Sequence, residues 1–134
     1  MEEKYDFAII GSGFGGSVSA LRLVEKGYTV LLIEKGKRFN SEDFPKTNLN
    51  LKKWLWMPRL RFHGIFKLSF FKHVGIVSGV GVGGGSLVYA NTLPIPKRPF
   101  YNTGSWAELN DWENDLKPYY SLAEKMLGAA PTPY

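Results

Sequence analysis

Not one cysteine occurs among the 134 residues, so disulfides, thiolate metal sites and cysteine nucleophiles are excluded. No apolar run approaches the ~18 residues that a membrane-spanning helix needs. The opening Met-Glu-Glu-Lys-Tyr-Asp is acidic and passes straight into an apolar segment. It lacks the basic and apolar regions of a secretory signal, so a cytoplasmic protein is expected. No internal repeat or low-complexity tract interrupts the chain, and histidine occurs only at His63 and His73. Neither histidine has an acid placed to pair with it in the sequence, so both are expected as structural or surface residues. No catalytic residue and no metal site is assigned.

The net charge of +5 is uneven. Residues 35–74 hold ten basic and two acidic side chains, while acids outnumber bases in 1–34 and in 101–134. A nucleic-acid binder would carry its positive charge as a broad face or stripe, so no nucleic-acid partner is expected. Within the basic stretch, Trp54, Trp56, Phe62, Phe66, Phe70 and Phe71 interleave with lysines and arginines. The simplest reading makes the rings core and the cations a solvated rim. A second reading gives the segment a peripheral contact with a membrane surface or a place beside an apolar substrate.

What is abundant is glycine, at 15 residues, and it is concentrated in two places. The first is Gly11-Ser-Gly-Phe-Gly-Gly16. Tyr5–Ile10 before it reads as a buried parallel strand. After it Phe14, Val18 and Leu21 fall on one helical face, and Gly27 suits a left-handed cap. Tyr28–Ile33 reads as a second buried strand, with Glu34 at its carboxyl end. Strand, glycine turn, helix, strand and acid form a βαβ unit over residues 5–34, which fixes the class as α/β with a partial Rossmann-like fold.

The chemistry follows from the spacing. Gly11, Gly13 and Gly16 fit the pattern Gly-x-Gly-x-x-Gly, whose glycines serve a tight turn, close approach to a pyrophosphate and close helix–strand packing. Unpaired N–H groups and the positive end of the helix dipole converge at that turn and favour a phosphate. Glu34 stands 18 residues after Gly16, near the ~20 at which an acid accepts hydrogen bonds from a ribose. Together these features indicate a dinucleotide.

The second glycine cluster runs from Gly79 to Gly85 and leads through Ser86 to Thr92. It is expected to open a helix near Ser86 and to expose backbone N–H groups along an extended ligand. A nicotinamide-binding unit would continue promptly into a third βα unit. This chain instead inserts residues 36–73, read as turns, one short helix and strands, and then presents another glycine loop. A long cofactor held at both its pyrophosphate and its ring suits FAD better. Prolines 94, 96 and 99 mark an extended loop. The tail 105–128 reads as helical, with one turn at 106–109, a turn capped by Asp111, and a helix starting at Pro118 and stopped by Gly128.

Gly11–Gly16 with Glu34, then Gly81-Val-Gly-Gly-Gly-Ser-Leu-Val-Tyr-Ala-Asn, Trp106, Asp111-Trp112 and Pro118-Tyr119-Tyr120, resemble the amino-terminal part of glucose-methanol-choline flavoprotein oxidoreductases, in the cholesterol-oxidase-like branch. The resemblance spans nearly the whole chain. It implies that Phe14 and Gly15 lie on the FAD phosphates and that Glu34 binds the adenosine ribose. Gly85, Tyr89, Ala90, Asn91 and Thr92 would run along the riboflavin side. It further implies oxidation of an alcohol, sterol-like in that branch, with hydride passing to FAD. Members of that family are several times longer, with a substrate domain and a histidine base farther along. The chain is therefore expected to be the cofactor-binding portion of such an enzyme. A non-catalytic nucleotide-binding module and a nicotinamide-dependent dehydrogenase domain are the alternatives.

Overall fold

The computed structural model describes residues 4–47 and 49–131, which divide into two compact units with the boundary between Ala90 and Asn91. The first unit begins with strand β1 (Phe7–Ile10), helix α1 (Phe14–Glu25) and strand β2 (Val30–Ile33). The strands pair in parallel, Phe7 opposite Val30 through Ile10 opposite Ile33. Parallel neighbours need a crossover, and α1 supplies it. Helix α1 stops where expected: Gly27 takes φ +88°, and the amides of Gly27 and Tyr28 donate to the carbonyls of Val24 and Leu23. Asp6 and Thr29 pin the start of the pair, the Thr29 amide and hydroxyl each donating to Asp6 Oδ2 at 2.7 Å.

Both strands were expected to be buried, and they are not. Ile10 is 88% exposed, and Leu31, Leu32 and Ile33 are exposed as well. A parallel strand reads as a continuous apolar run because elements cover both faces of its sheet. Here two strands are joined by one helix, so the residues have the character of an interior without its covering layers.

Beyond Glu34 the chain leaves the α/β pattern. A single turn spans Ser41–Asp43, followed by α2 (Leu51–Trp54), β3 (Trp56–Met57), a turn at Pro58–Leu60 and β4 (Phe62–His63). Strands β5 (Phe66–Phe70) and β6 (Gly75–Gly79) form an antiparallel hairpin, Phe66 opposite Gly79. The Trp54 ring stacks on Phe66 with centroids 5.3 Å apart, and the Val80 amide donates to the Ile65 carbonyl. Ile65 and Val80 are the buried apolar residues of this unit among those described. Trp54 and Phe66 thus serve packing, whereas Phe70 and Phe71 at the far end of the hairpin stand exposed.

The second unit contains α3 (Arg98–Tyr101), a turn at Ala107–Leu109 and α4 (Trp112–Leu127). Its aromatic residues form a connected set: Phe100 meets Trp106 edge-on at 4.8 Å, and Trp106 stacks on Trp112 at 5.5 Å. The Trp112 indole N–H donates to the Trp106 carbonyl at 2.7 Å. Tyr101 is buried. Asp111 caps α4, its carboxylate accepting from the Asn114 amide, and Gly128 closes it in the left-handed region. Two separate helical pieces were expected on either side of Pro118. One continuous helix forms instead, with Pro118 inside it. The capped first turn and the long amphipathic stretch after Pro118 outweigh one missing backbone donor.

Candidate functional site

Residues 11–16 turn the chain from β1 into α1. Gly11 takes φ +97°, a left-handed conformation that side-chain-bearing residues seldom adopt. A Cβ on Gly16 would run into the Gly11 carbonyl oxygen, which is the close approach that the third glycine of the pattern serves. Gly13 and Gly15 differ from both. Their φ values are not positive, and a Cβ on either would meet nothing within 4 Å. Neither backbone strain nor protein packing therefore requires glycine there, although Gly15 weakens the first turn of α1 by about 1 kcal/mol relative to alanine. A ligand lying against the backbone would require it.

The donors at that point are available. Helix α1 has no side-chain cap at Gly13 and no acid in its first turn. Its first intrahelical bond runs from the Ser17 amide to the Gly13 carbonyl at 2.9 Å. The first-turn amides at Phe14, Gly15 and Gly16 have no carbonyl partner within the helix. An anion beside them would satisfy them and complement the dipole.

The second glycine cluster folds back against this turn. A Cβ on Gly84 would lie 2.9 Å from the Gly13 Cα, and one on Gly85 would lie 3.5 Å from the Phe14 ring. The Phe14 and Tyr89 rings meet edge-on with centroids 5.7 Å apart. Farther along, a Cβ on Gly36 would meet Gly81, and the Val82 amide donates to the Lys37 carbonyl at 3.0 Å. The helix expected near Ser86 is a short 3-10 turn, Gly84–Leu87, preceded by left-handed Gly83. Adjacent glycines carry a high cost in backbone entropy within a helix and let this segment turn tightly instead.

Glu34 projects between the two glycine segments. Its Oε2 accepts from the Ser12 amide at 3.0 Å and from the Ser12 hydroxyl at 2.8 Å. Its Oε1 accepts from the Gly36 amide at 2.9 Å. Partial burial pushes its pKa up, but the bonds from Ser12 and the amides of Gly36 and Lys35 together outweigh it and hold the carboxyl below the ordinary glutamate value. Glu34 is thus kept ionised, a hydrogen-bond acceptor placed at the end of β2.

Gly11, Gly13, Phe14, Gly15, Gly16, Glu34, Gly85 and Tyr89 therefore lie in one region of the first unit. Ala90 ends that unit; Asn91, at φ +56°, and Thr92 open the second. Ser12 was not singled out in the sequence, and Gly84 was read only as part of the second glycine cluster. Ser12 looked like a spacer between two glycines, and nothing in its position revealed where its hydroxyl pointed. His63 meets Trp56 edge-on and is exposed, as is His73. Among the described residues no group of histidine, aspartate and glutamate is arranged to hold a metal ion, and no helix is long and apolar enough to cross a membrane.

Turn, helix, second strand and acid define a Rossmann-like nucleotide-binding unit, and the glycine residues that packing does not require fit a flavin or other nucleotide cofactor. A family described as "NAD(P)-binding Rossmann-like domain" matches residues 9–52. Over nearly its whole length the chain matches the amino-terminal part of cholesterol oxidases of the glucose-methanol-choline family. It is 52% identical to a cholesterol oxidase of Acinetobacter baumannii over 92% of the chain, and 51% identical to one of Mycobacterium tuberculosis over 99%. An oxygen-dependent choline dehydrogenase of Pseudomonas fluorescens is 30% identical over 92% of the chain. The chain spans only 22%, 23% and 23% of the length of these three relatives.

Proposed function

We propose that this chain forms the FAD-binding portion of an oxidoreductase that oxidises the CH–OH group of an alcohol, with a sterol-like alcohol as the substrate class. The observation that carries this reading is the meeting of two glycine segments, Gly84 against Gly13, beside turn glycines whose missing side chains would fill open space. The names of the relatives, cholesterol oxidase and choline dehydrogenase, support an alcohol as substrate. FAD, when bound, accepts a hydride from the carbon bearing the hydroxyl.

In this reading the amides of Phe14, Gly15 and Gly16 neutralise the pyrophosphate charge, with the α1 dipole adding to them. Glu34 accepts from the adenosine ribose. Gly85, Tyr89, Ala90, Asn91 and Thr92 follow the riboflavin portion, largely through backbone groups. The proposal assigns no base for the substrate hydroxyl to this chain.

A nicotinamide reading draws on the family description over residues 9–52. Against it stands the path after Glu34, where short antiparallel strands replace a third βα unit. Titration of the purified protein with FAD, NAD and NADP separates the two. Saturable FAD binding, with a perturbed flavin spectrum and no response to either nicotinamide, is expected. Binding of NAD or NADP in place of FAD overturns the proposal.

A further inference from the structure

Ser12 is the one buried polar residue among those described, at 2% exposure, and the FAD reading gives it no role. The side chain faces inward, and both of its hydrogen-bonding functions are engaged. The hydroxyl has one proton, and that proton goes to Glu34 Oε2 at 2.8 Å. The Ser12 Oγ in turn accepts the Gly83 amide at 3.1 Å, from a residue 71 positions along the chain. One hydroxyl therefore touches the acid expected at the adenosine ribose and the glycine loop expected at the riboflavin side. Its backbone takes part as well: the Ser12 amide donates to Glu34 Oε2, and the Ser12 carbonyl accepts the Ser17 hydroxyl at 2.8 Å.

We infer that Ser12 is a positioning residue that sets the Glu34 carboxylate for a ribose and locks the second glycine loop onto the first through Gly83. The inference rests on the FAD reading of the site, because Ser12 acts through Glu34 and through the loop backbone. Alternative side chains show why a hydroxyl is suited to this position. Alanine can neither donate to Glu34 nor accept from Gly83. A longer amide or carboxylate would have to be housed at a position only 2% exposed. Gly83, left-handed at φ +105°, presents its N–H to the Ser12 hydroxyl. Without the acceptor that amide loses its partner in a part-buried place, which carries a desolvation penalty. The bond to Glu34 is charge-assisted, the stronger class of hydrogen bond.

The consequence is a linkage between the two ends of one binding site. Removing the hydroxyl leaves Glu34 Oε2 held by the Ser12 amide alone and removes the bond that ties the Gly83 loop to the turn. A ligand that spans both ends loses both constraints. A ligand that cannot engage Glu34 loses only the second.

The test uses FAD and an FAD analogue lacking the adenosine 2′-hydroxyl, titrated against the wild-type chain and Ser12→Ala. The wild type is expected to prefer FAD over the analogue. Ser12→Ala is expected to bind FAD roughly tenfold more weakly, from losing a hydrogen bond to a charged group, and to discriminate less between the ligands. Loss of discrimination is a signature that a general packing defect does not produce. Hydrogen exchange supplies a second readout: the Gly83 amide should be protected in the wild type and exposed in Ser12→Ala.

Should Ser12→Ala fail to fold, Ser12→Gly and the wild-type exchange rate carry the test. A wild-type Gly83 amide exchanging at the rate of an open chain overturns the inference. FAD affinity and discrimination unchanged in a folded Ser12→Ala also overturn it. Failure of the wild type to bind FAD at all removes the cofactor reading itself, an outcome distinct from the other two.

Discussion

Gly36 lies directly against Gly81: a Cβ on Gly36 would fall 2.5 Å from both the Cα and the nitrogen of Gly81. The chain just beyond β2 is thereby pressed onto the second glycine segment, backbone against backbone, with no flexible side chain between them to yield. Gly36→Ala is expected to destabilise the first unit by about 1–3 kcal/mol, as overpacking does. Urea denaturation followed by tryptophan fluorescence measures the loss.

Gly16→Ala should be worse than Gly15→Ala, although the two positions are neighbours on α1. The first would drive a methyl group into the Gly11 carbonyl, whereas the second meets nothing within 4 Å. Gly15→Ala is expected to leave the fold intact or to stabilise it by about 0.5–1 kcal/mol, the gain of alanine over glycine in a helix. Thermal unfolding of the two variants side by side checks the contrast.

The acid at Glu34 gives stability a defined dependence on pH. Its carboxyl is held below the ordinary glutamate value of 4.5, so the folded state binds its proton less readily than the unfolded chain. That contribution is fully present above the unfolded value and fades as pH falls through the lower folded value. Urea midpoints measured downward from neutral pH should decline in the wild type, with a shallower decline in Glu34→Gln. Identical slopes in the two proteins contradict the Ser12–Glu34–Gly36 arrangement.

In the second unit the phenol of Tyr101 is pushed up to about 12, chiefly by its hydrogen bond with Tyr120 and then by burial. A raised value favours the neutral phenol in the folded state. The associated stability is present below the ordinary value of 10.0 and lost as pH rises through the folded value. Ultraviolet titration should show a tyrosine ionising at about 12, and Tyr120→Phe should lower that value by removing its chief cause.

The sequence disclosed those features whose causes are local. Apolar runs of strand length, a helical period from Phe14 and a glycine at the place of a helix stop were enough for the βαβ unit, and Asp111 and Gly128 marked the ends of α4. What stayed hidden depends on residues far apart in the chain. Gly13 with Gly84, Gly36 with Gly81 and Ser12 with Gly83 are contacts between segments separated by a long insertion, and no periodicity encodes them. Pro118 misled for the opposite reason, because a strong local rule about helix starts was overridden by the packing and capping of the helix around it. The exposed strands show a third kind of divergence: Ile10, Leu31, Leu32 and Ile33 have an interior composition, and composition does not state which elements are present to cover it.

Gly13→Ala probes whether the Gly11–Gly16 turn seats the pyrophosphate of FAD, as proposed. A Cβ at Gly13 would meet no protein atom within 4 Å, so the fold should be retained. The added methyl would stand where the ligand approaches, and overpacking of about 1–3 kcal/mol corresponds to FAD binding weakened roughly fivefold to a hundred-and-fiftyfold. FAD titration of the folded variant beside the wild type is the measurement. Weakened binding with unchanged unfolding behaviour is expected, and FAD affinity equal to that of the wild type would overturn the pyrophosphate seat at this turn.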